Sequence, residues 1–162
     1  ANPDQQQDYA ELYYAHRAKG GLTTVTVSFA SPSDTDVGGD TSLGLYEYRG
    51  LGSWDTVLAT TSKDASGKIL TESSKLNTKA ASEMCFALGI DSGPQKGEKD
   101  DITVTEGDGY TLRYPTGNQA TDSANGERFY TEDAFVAPGG CNLNFTIAYP
   151  SFWGIIGATF KP

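Results

Sequence analysis

The feature that most restricts the fold is a two-residue alternation of apolar and polar side chains, repeated along the chain and broken at short intervals by Gly, Asn, Asp or Ser. In residues 22–30, Val25, Val27 and Phe29 point one way while Thr24, Thr26 and Ser28 point the other, the pattern of a half-buried strand. Further strand candidates cover 43–49, 56–61, 68–72, 83–90, 102–106, 110–114, 127–131, 141–149 and 152–160. Gly107, Asp108 and Gly109 separate two of these runs and tolerate the positive φ of a tight reversal, which predicts a β-hairpin over 102–114. Asn125-Gly126 and Ser66-Gly67 mark two more turns, 75–82 reads as a short helix or turn, and 92–101 reads as a polar loop. With no internal repeat and no regular strand-helix alternation, the pattern predicts a mainly β chain: an antiparallel β-sandwich, jelly-roll-like.

One segment departs from the two-residue period. Asn2 as cap, Pro3 in the first turn, Asp4 at the positive end, Arg17 and Lys19 at the negative end and the stop Gly20-Gly21 are helix signals. Tyr9, Leu12, Tyr13 and His16 fall on one face, which predicts an amphipathic N-terminal helix of about four turns. An extended arm running through Tyr9 to Tyr14 is the competing reading. At 162 residues the chain fits one domain, divided into this helix or arm (1–21) and a β-sandwich (22–162).

Leu, Ile, Val and Phe number 30, and with a net charge of −9 this approaches the composition of disordered chains. Nine Tyr, seven Phe and two Trp supply the missing area, since each aromatic buries more surface than an aliphatic residue. The scattered Lys and Arg form no basic stripe, which argues against a nucleic-acid partner. The acidic surface is compatible with cations and is otherwise a solvated, soluble exterior.

Cys85 and Cys141 are the only cysteines, and each sits in an apolar strand run. Buried free thiols would suit a cytosolic chain. The Thr, Ser, Gly and Tyr richness instead resembles that of extracellular β proteins, in which the pair would bond. A disulfide here would close a long loop and contribute about 4 kcal/mol on the chain-entropy account. Starting at Ala1 without signal, transit or membrane-spanning stretch, the sequence reads as a processed, secreted form. The sequon Asn144-Phe145-Thr146 lies within a strand pattern, a poor setting for glycosylation.

Charge is distributed unevenly. All 21 acidic residues precede position 134, and Lys161 is the only charge after it. In this last stretch Cys141, Leu143, Phe145, Ile147 and Tyr149 alternate, while Phe152, Trp153, Ile155, Ile156 and Phe160 form an apolar run spaced by Gly154 and Gly157. Such a run must be covered, either inside the domain or by a neighbouring subunit.

Three sets of residues are candidate sites. Asp34, Asp36 and Asp40 place carboxylates in a glycine-rich loop at offsets suited to a hard cation such as calcium, although an EF-hand would need an acid where Leu45 stands. A solvated Asp-Gly turn is the alternative. Asp100, Asp101, Glu106 and Asp108 form a second, weaker acidic cluster. Trp54, among Gly50, Gly52, Ser53 and Asp55 in what reads as a loop, could stack on a sugar or anchor a protein contact, or fold back over the sheet end. Catalytic signatures are missing: His16 is the single histidine, and no GxSxG, HExxH or phosphate-binding glycine loop occurs.

These features predict a non-enzymatic extracellular structural or adhesive subunit, such as part of a filament, surface layer or virion. It would assemble with copies of itself or another extracellular protein, through the apolar C-terminal run or the N-terminal segment, with calcium as a stabiliser. A secreted carbohydrate-binding module using Trp54 is the alternative, ahead of a small secreted hydrolase.

Overall fold

The computed structural model describes residues 10–18, 20–21, 24–28, 43–61, 69–71, 76–91, 104–114, 128–147 and 153–162. Eight strands lie among them: β1 (Trp54–Thr61), β2 (Ile69–Thr71), β3 (Glu83–Asp91), β4 (Val104–Thr105), β5 (Thr111–Tyr114), β6 (Arg128–Val136), β7 (Asn144–Ile147) and β8 (Trp153–Phe160). They form two antiparallel sheets, a five-stranded one in the order β1-β8-β3-β6-β5 and a three-stranded one in the order β2-β7-β4. The described residues contain no helix, and neither sheet closes into a barrel.

β3 shows why the core sits where it does. Its odd positions carry the small side chains Cys85, Ala87 and Gly89, and its even positions carry Met84, Phe86, Leu88 and Ile90. The period of two puts these sets on opposite faces. Across the small face, the registers align Ala87 with Gly157 of β8 and Gly89 with Tyr130 of β6. Large side chains fill the space that the small ones leave. Leu143 packs where a Cβ on Gly157 would have to be, and the Tyr130 and Phe145 rings occupy the corresponding space at Gly89. Those two rings meet edge-on at 4.8 Å between centroids, an arrangement that aromatic quadrupoles favour. Cys141, Leu143, Phe145 and Ile147 are all buried, so the alternation read in this run is realised, and together with Leu76, Cys85, Ala87, Tyr130 and Ile155 they make the core.

The expected disulfide is present. Cys85 and Cys141 are bonded with their Cα atoms 6.3 Å apart, and both are buried in that core. Tyr110 donates its hydroxyl hydrogen to the Cys85 sulfur at 2.9 Å. The bond joins the middle of the large sheet to the segment that leads into β7. An oxidising, non-cytosolic compartment sustains such a bond. Among the described residues no helix is long and apolar enough to cross a membrane.

Three expectations need correction. Residues 10–18 form no helix; the chain turns at His16 and Arg17, with Arg17 at φ 57°. An isolated short helix depends on packing of its apolar face, and here Tyr13 is 82% exposed while Tyr14 packs against the large sheet. Residues 24–28 and 43–48 belong to neither sheet. The runs at 102–106 and 110–114 do become strands, β4 and β5, but they pair with β7 and β6 respectively, not with each other. Between them Tyr110 N–H bonds the Gly107 carbonyl at 3.0 Å and Gly109 takes φ 82°, so the reversal exists but passes the chain from one sheet to the other. Of the two readings of 75–82, the described part, 76–82, takes the turn and not the helix: Glu83 accepts the N–H groups of Lys79 and Ala80, both at 2.7 Å.

The seat of Leu143 at Gly157 is testable. Gly157→Ala should lower the unfolding free energy by about 1–3 kcal/mol through overpacking. Gly20→Ala, with nothing near its added Cβ, should leave the urea midpoint nearly unchanged.

Candidate functional site

The face of the large sheet opposite the disulfide is where the chain leaves most unfinished. Trp54, Phe160, Met84 and Phe135 stand in one register row across β1, β8, β3 and β6. Val57, Ala158, Phe86 and Asp133 make the next row. Met84 is buried, but Trp54 is 47%, Val57 53% and Phe135 63% exposed.

Two N-terminal segments lie on this face. Tyr14 meets Phe160 and Trp54 edge-on at 5.8 and 6.5 Å. Further along, Tyr46 and Tyr48 pack on Phe86 at 5.4 and 6.5 Å. The segment 44–48 follows β6: Gly44 lies near Phe129, Tyr46 accepts a hydrogen bond from Thr131 at 2.6 Å, and Tyr48 donates to Asp133 at 2.6 Å. Its alternation is therefore real, with the tyrosines turned to the sheet and Leu43 and Leu45 exposed. Side chains, not a backbone ladder, hold it down.

Asp133 is the polar anchor. Besides Tyr48 it receives Arg113 through Nε at 2.7 Å and Nη2 at 2.9 Å. This two-pronged pairing leaves the buried carboxylate well compensated. Burial, together with donation to Asp133, pushes the Tyr48 hydroxyl above its ordinary value.

Residues 24–28 differ from 43–48. They have the alternation of a strand, pair with no strand among the described residues, and are exposed throughout, with Val25 at 57% and Val27 at 44%.

The predicted site residues scatter. Trp54 opens β1 and does not sit in a loop; its surroundings are fixed by the ion pair of Lys161 with Asp55 (2.5 Å) and by the bond from Gly52 N–H to the Lys161 carbonyl (2.6 Å). Trp153, Ile155, Ile156 and Phe160 lie in β8, which is hydrogen-bonded to β1 on one side and β3 on the other. Ile155 is in the core, and Trp153, Ile156 and Phe160 are half-buried. Phe152 lies outside the described residues, as do Asp34, Asp36, Asp40, Asp100 and Asp101. Glu106 and Asp108 are exposed, and among the described residues no group of three His, Cys, Asp or Glu could hold a metal ion. His16 is exposed at its turn.

Sequence reasoning missed the buried acids. Glu83, Asp91 and Glu132 lie on the disulfide side of the large sheet with no exposure. Asp91 accepts from Tyr130 at 3.0 Å. Glu132 accepts from Gly107 N–H at 2.8 Å and from the Asn144 backbone, tying β6 to the β4–β5 reversal and to β7. Its other oxygen has no partner. Burial pushes the Glu132 carboxyl up to about 7, the two backbone bonds offsetting only part of that cost. The visible signal was an acid at a position where the alternation called for an apolar residue.

No family model, no curated protein and no solved structure matches this chain.

Glu132 makes stability depend on pH. With its folded value near 7 against 4.5 for an ordinary glutamate, the folded state holds the proton more tightly. Its contribution is fully present below about pH 4.5 and is lost as pH rises to about 7, a change on the order of 3 kcal/mol. Between pH 4.5 and 8, the unfolding free energy of the native chain should fall relative to that of Glu132→Gln. A pH-independent difference between the two would contradict this.

Proposed function

We propose that the chain is a non-enzymatic, extracellular structural or adhesive subunit that assembles with copies of itself through its N-terminal segment. One observation carries this reading: residues 24–28 have the composition and alternation of a half-buried strand, yet they are exposed and join no strand among the described residues of the chain. A β-prone, uncharged segment of this kind gains both ladder hydrogen bonds and apolar burial by pairing with another chain. The open side of the large sheet around Trp54, Val57 and Phe135 supports the same reading, because exposed apolar surface of this kind marks interaction sites. On this reading the two sheets pack as a jelly-roll-like sandwich whose inner side is complete and whose outer side is finished on assembly. The apolar C-terminal run is already held between β1 and β3, with Trp153 and Ile155 on the inner side and Ile156 and Phe160 on the outer side, so exposing it to a neighbour would break a ladder.

A second reading, carbohydrate binding, rests on the half-exposed Trp54 with Tyr14 beside it. Glycan-array binding abolished by Trp54→Ala, in a chain that stays monomeric, would favour it.

Sedimentation or light scattering over a wide concentration range tests the assembly reading. Mass should rise with concentration. Val25→Asp and Val27→Asp should each weaken the association by about tenfold, the equivalent of one valine's burial. A strict monomer at high concentration would overturn the reading.

A further inference from the structure

The four outer edges of the two sheets are not equally protected. β2 and β4 have three and two residues, too short to template another strand. β5 has four residues, an irregular register between Leu112 and Tyr114, and the charged Arg113 within it, followed in sequence by Pro115. Charge, irregularity, proline and shortness are the devices that keep edges from pairing. β1 lacks most of them. It runs for eight residues, pairs through one side only, and after the irregularity near Trp54 it continues from Thr56 to Thr61 without a charge or a proline.

We infer that this free edge of β1 is the acceptor for residues 24–28 of a second copy, which add to the large sheet as a sixth strand. The inference rests on the assembly reading above and names its partner surface. Charge supports the pairing. Each copy carries a net charge of −9, so two copies repel except where uncharged segments meet, and both residues 20–33 and residues 56–62 are free of charge. The side-chain chemistry agrees as well. Val57 projects from β1 on the face opposite the disulfide, 53% exposed, and Val25 and Val27 placed beside it would continue the apolar surface outward from that row. Thr24, Thr26 and Ser28 would then lie on the other face. Among the described residues no segment of the same chain occupies this edge.

Cysteine cross-linking tests the assignment with the native disulfide in place. Val57→Cys protein is mixed in turn with Val25→Cys, Val27→Cys and Thr26→Cys protein, oxidised, and mapped by peptide mass spectrometry. The expected result is an intermolecular bond from position 57 of one copy to position 25 or 27 of the other, formed at least tenfold more than to position 26, whose side chain faces away. Association by light scattering with no bond from position 57 to 25 or 27 would overturn the β1 edge as acceptor and leave the assembly reading intact. Absence of any association would overturn both.

Discussion

The bond between Cys85 and Cys141 fixes which face of the large sheet is the inside. It anchors the central strand β3 to the segment preceding β7, and the side chains on that face then have one set of partners. Because Cys85, Ala87, Gly89 and Gly157 are small, the larger Leu143, Phe145 and Tyr130 can seat against the sheet backbone. A chain with few aliphatic residues thereby fills a core with aromatic area and close backbone approach. The unfolded chain also loses the freedom of the long intervening loop, which favours the folded state.

The opposite face follows from the same choice. The large side chains of β3, Met84 and Phe86 among them, point away from the disulfide, and no second sheet among the described residues covers them. Tyr14, Tyr46 and Tyr48 do so from N-terminal segments held by ring contacts and by the Asp133 carboxylate. This cover reaches Trp54 only at one side and leaves Trp54, Val57 and Phe135 substantially exposed. The same sheet ends in the long unprotected edge of β1, and the exposed, strand-like segment 24–28, which joins no sheet among the described residues, belongs to the same chain.

Much of this is legible in the sequence where local pattern and tertiary demand agree. The run that forms β7 alternates because one face is buried, those that form β3 and β8 are apolar nearly throughout because both faces are covered, and the cysteines sit in or beside two of them. The N-terminal segment misleads because capping signals describe a helix end without supplying a surface to pack on, and Tyr14 packs its ring on the sheet without a helix. The 102–114 region misleads because a turn signal fixes a reversal but not the partners of the strands it joins; Glu132, far away in sequence, holds the Gly107 N–H. Buried Glu83, Asp91 and Glu132 interrupt the apolar pattern of the inner face, so alternation alone does not assign them. The described parts of the runs at 22–30 and 43–49 keep their alternation yet join no sheet of their own chain, because side-chain periodicity carries no information on which backbone completes the ladder.

We propose that one side of this domain is complete within the chain and that the other is completed by a neighbour. Amide hydrogen exchange measured at several protein concentrations tests it most directly. The account predicts strong protection of β3 and β8 at every concentration, with residues 24–28 exchanging freely when dilute and becoming protected as concentration rises. Protection of residues 24–28 that is already present in dilute solution and does not change with concentration would contradict it.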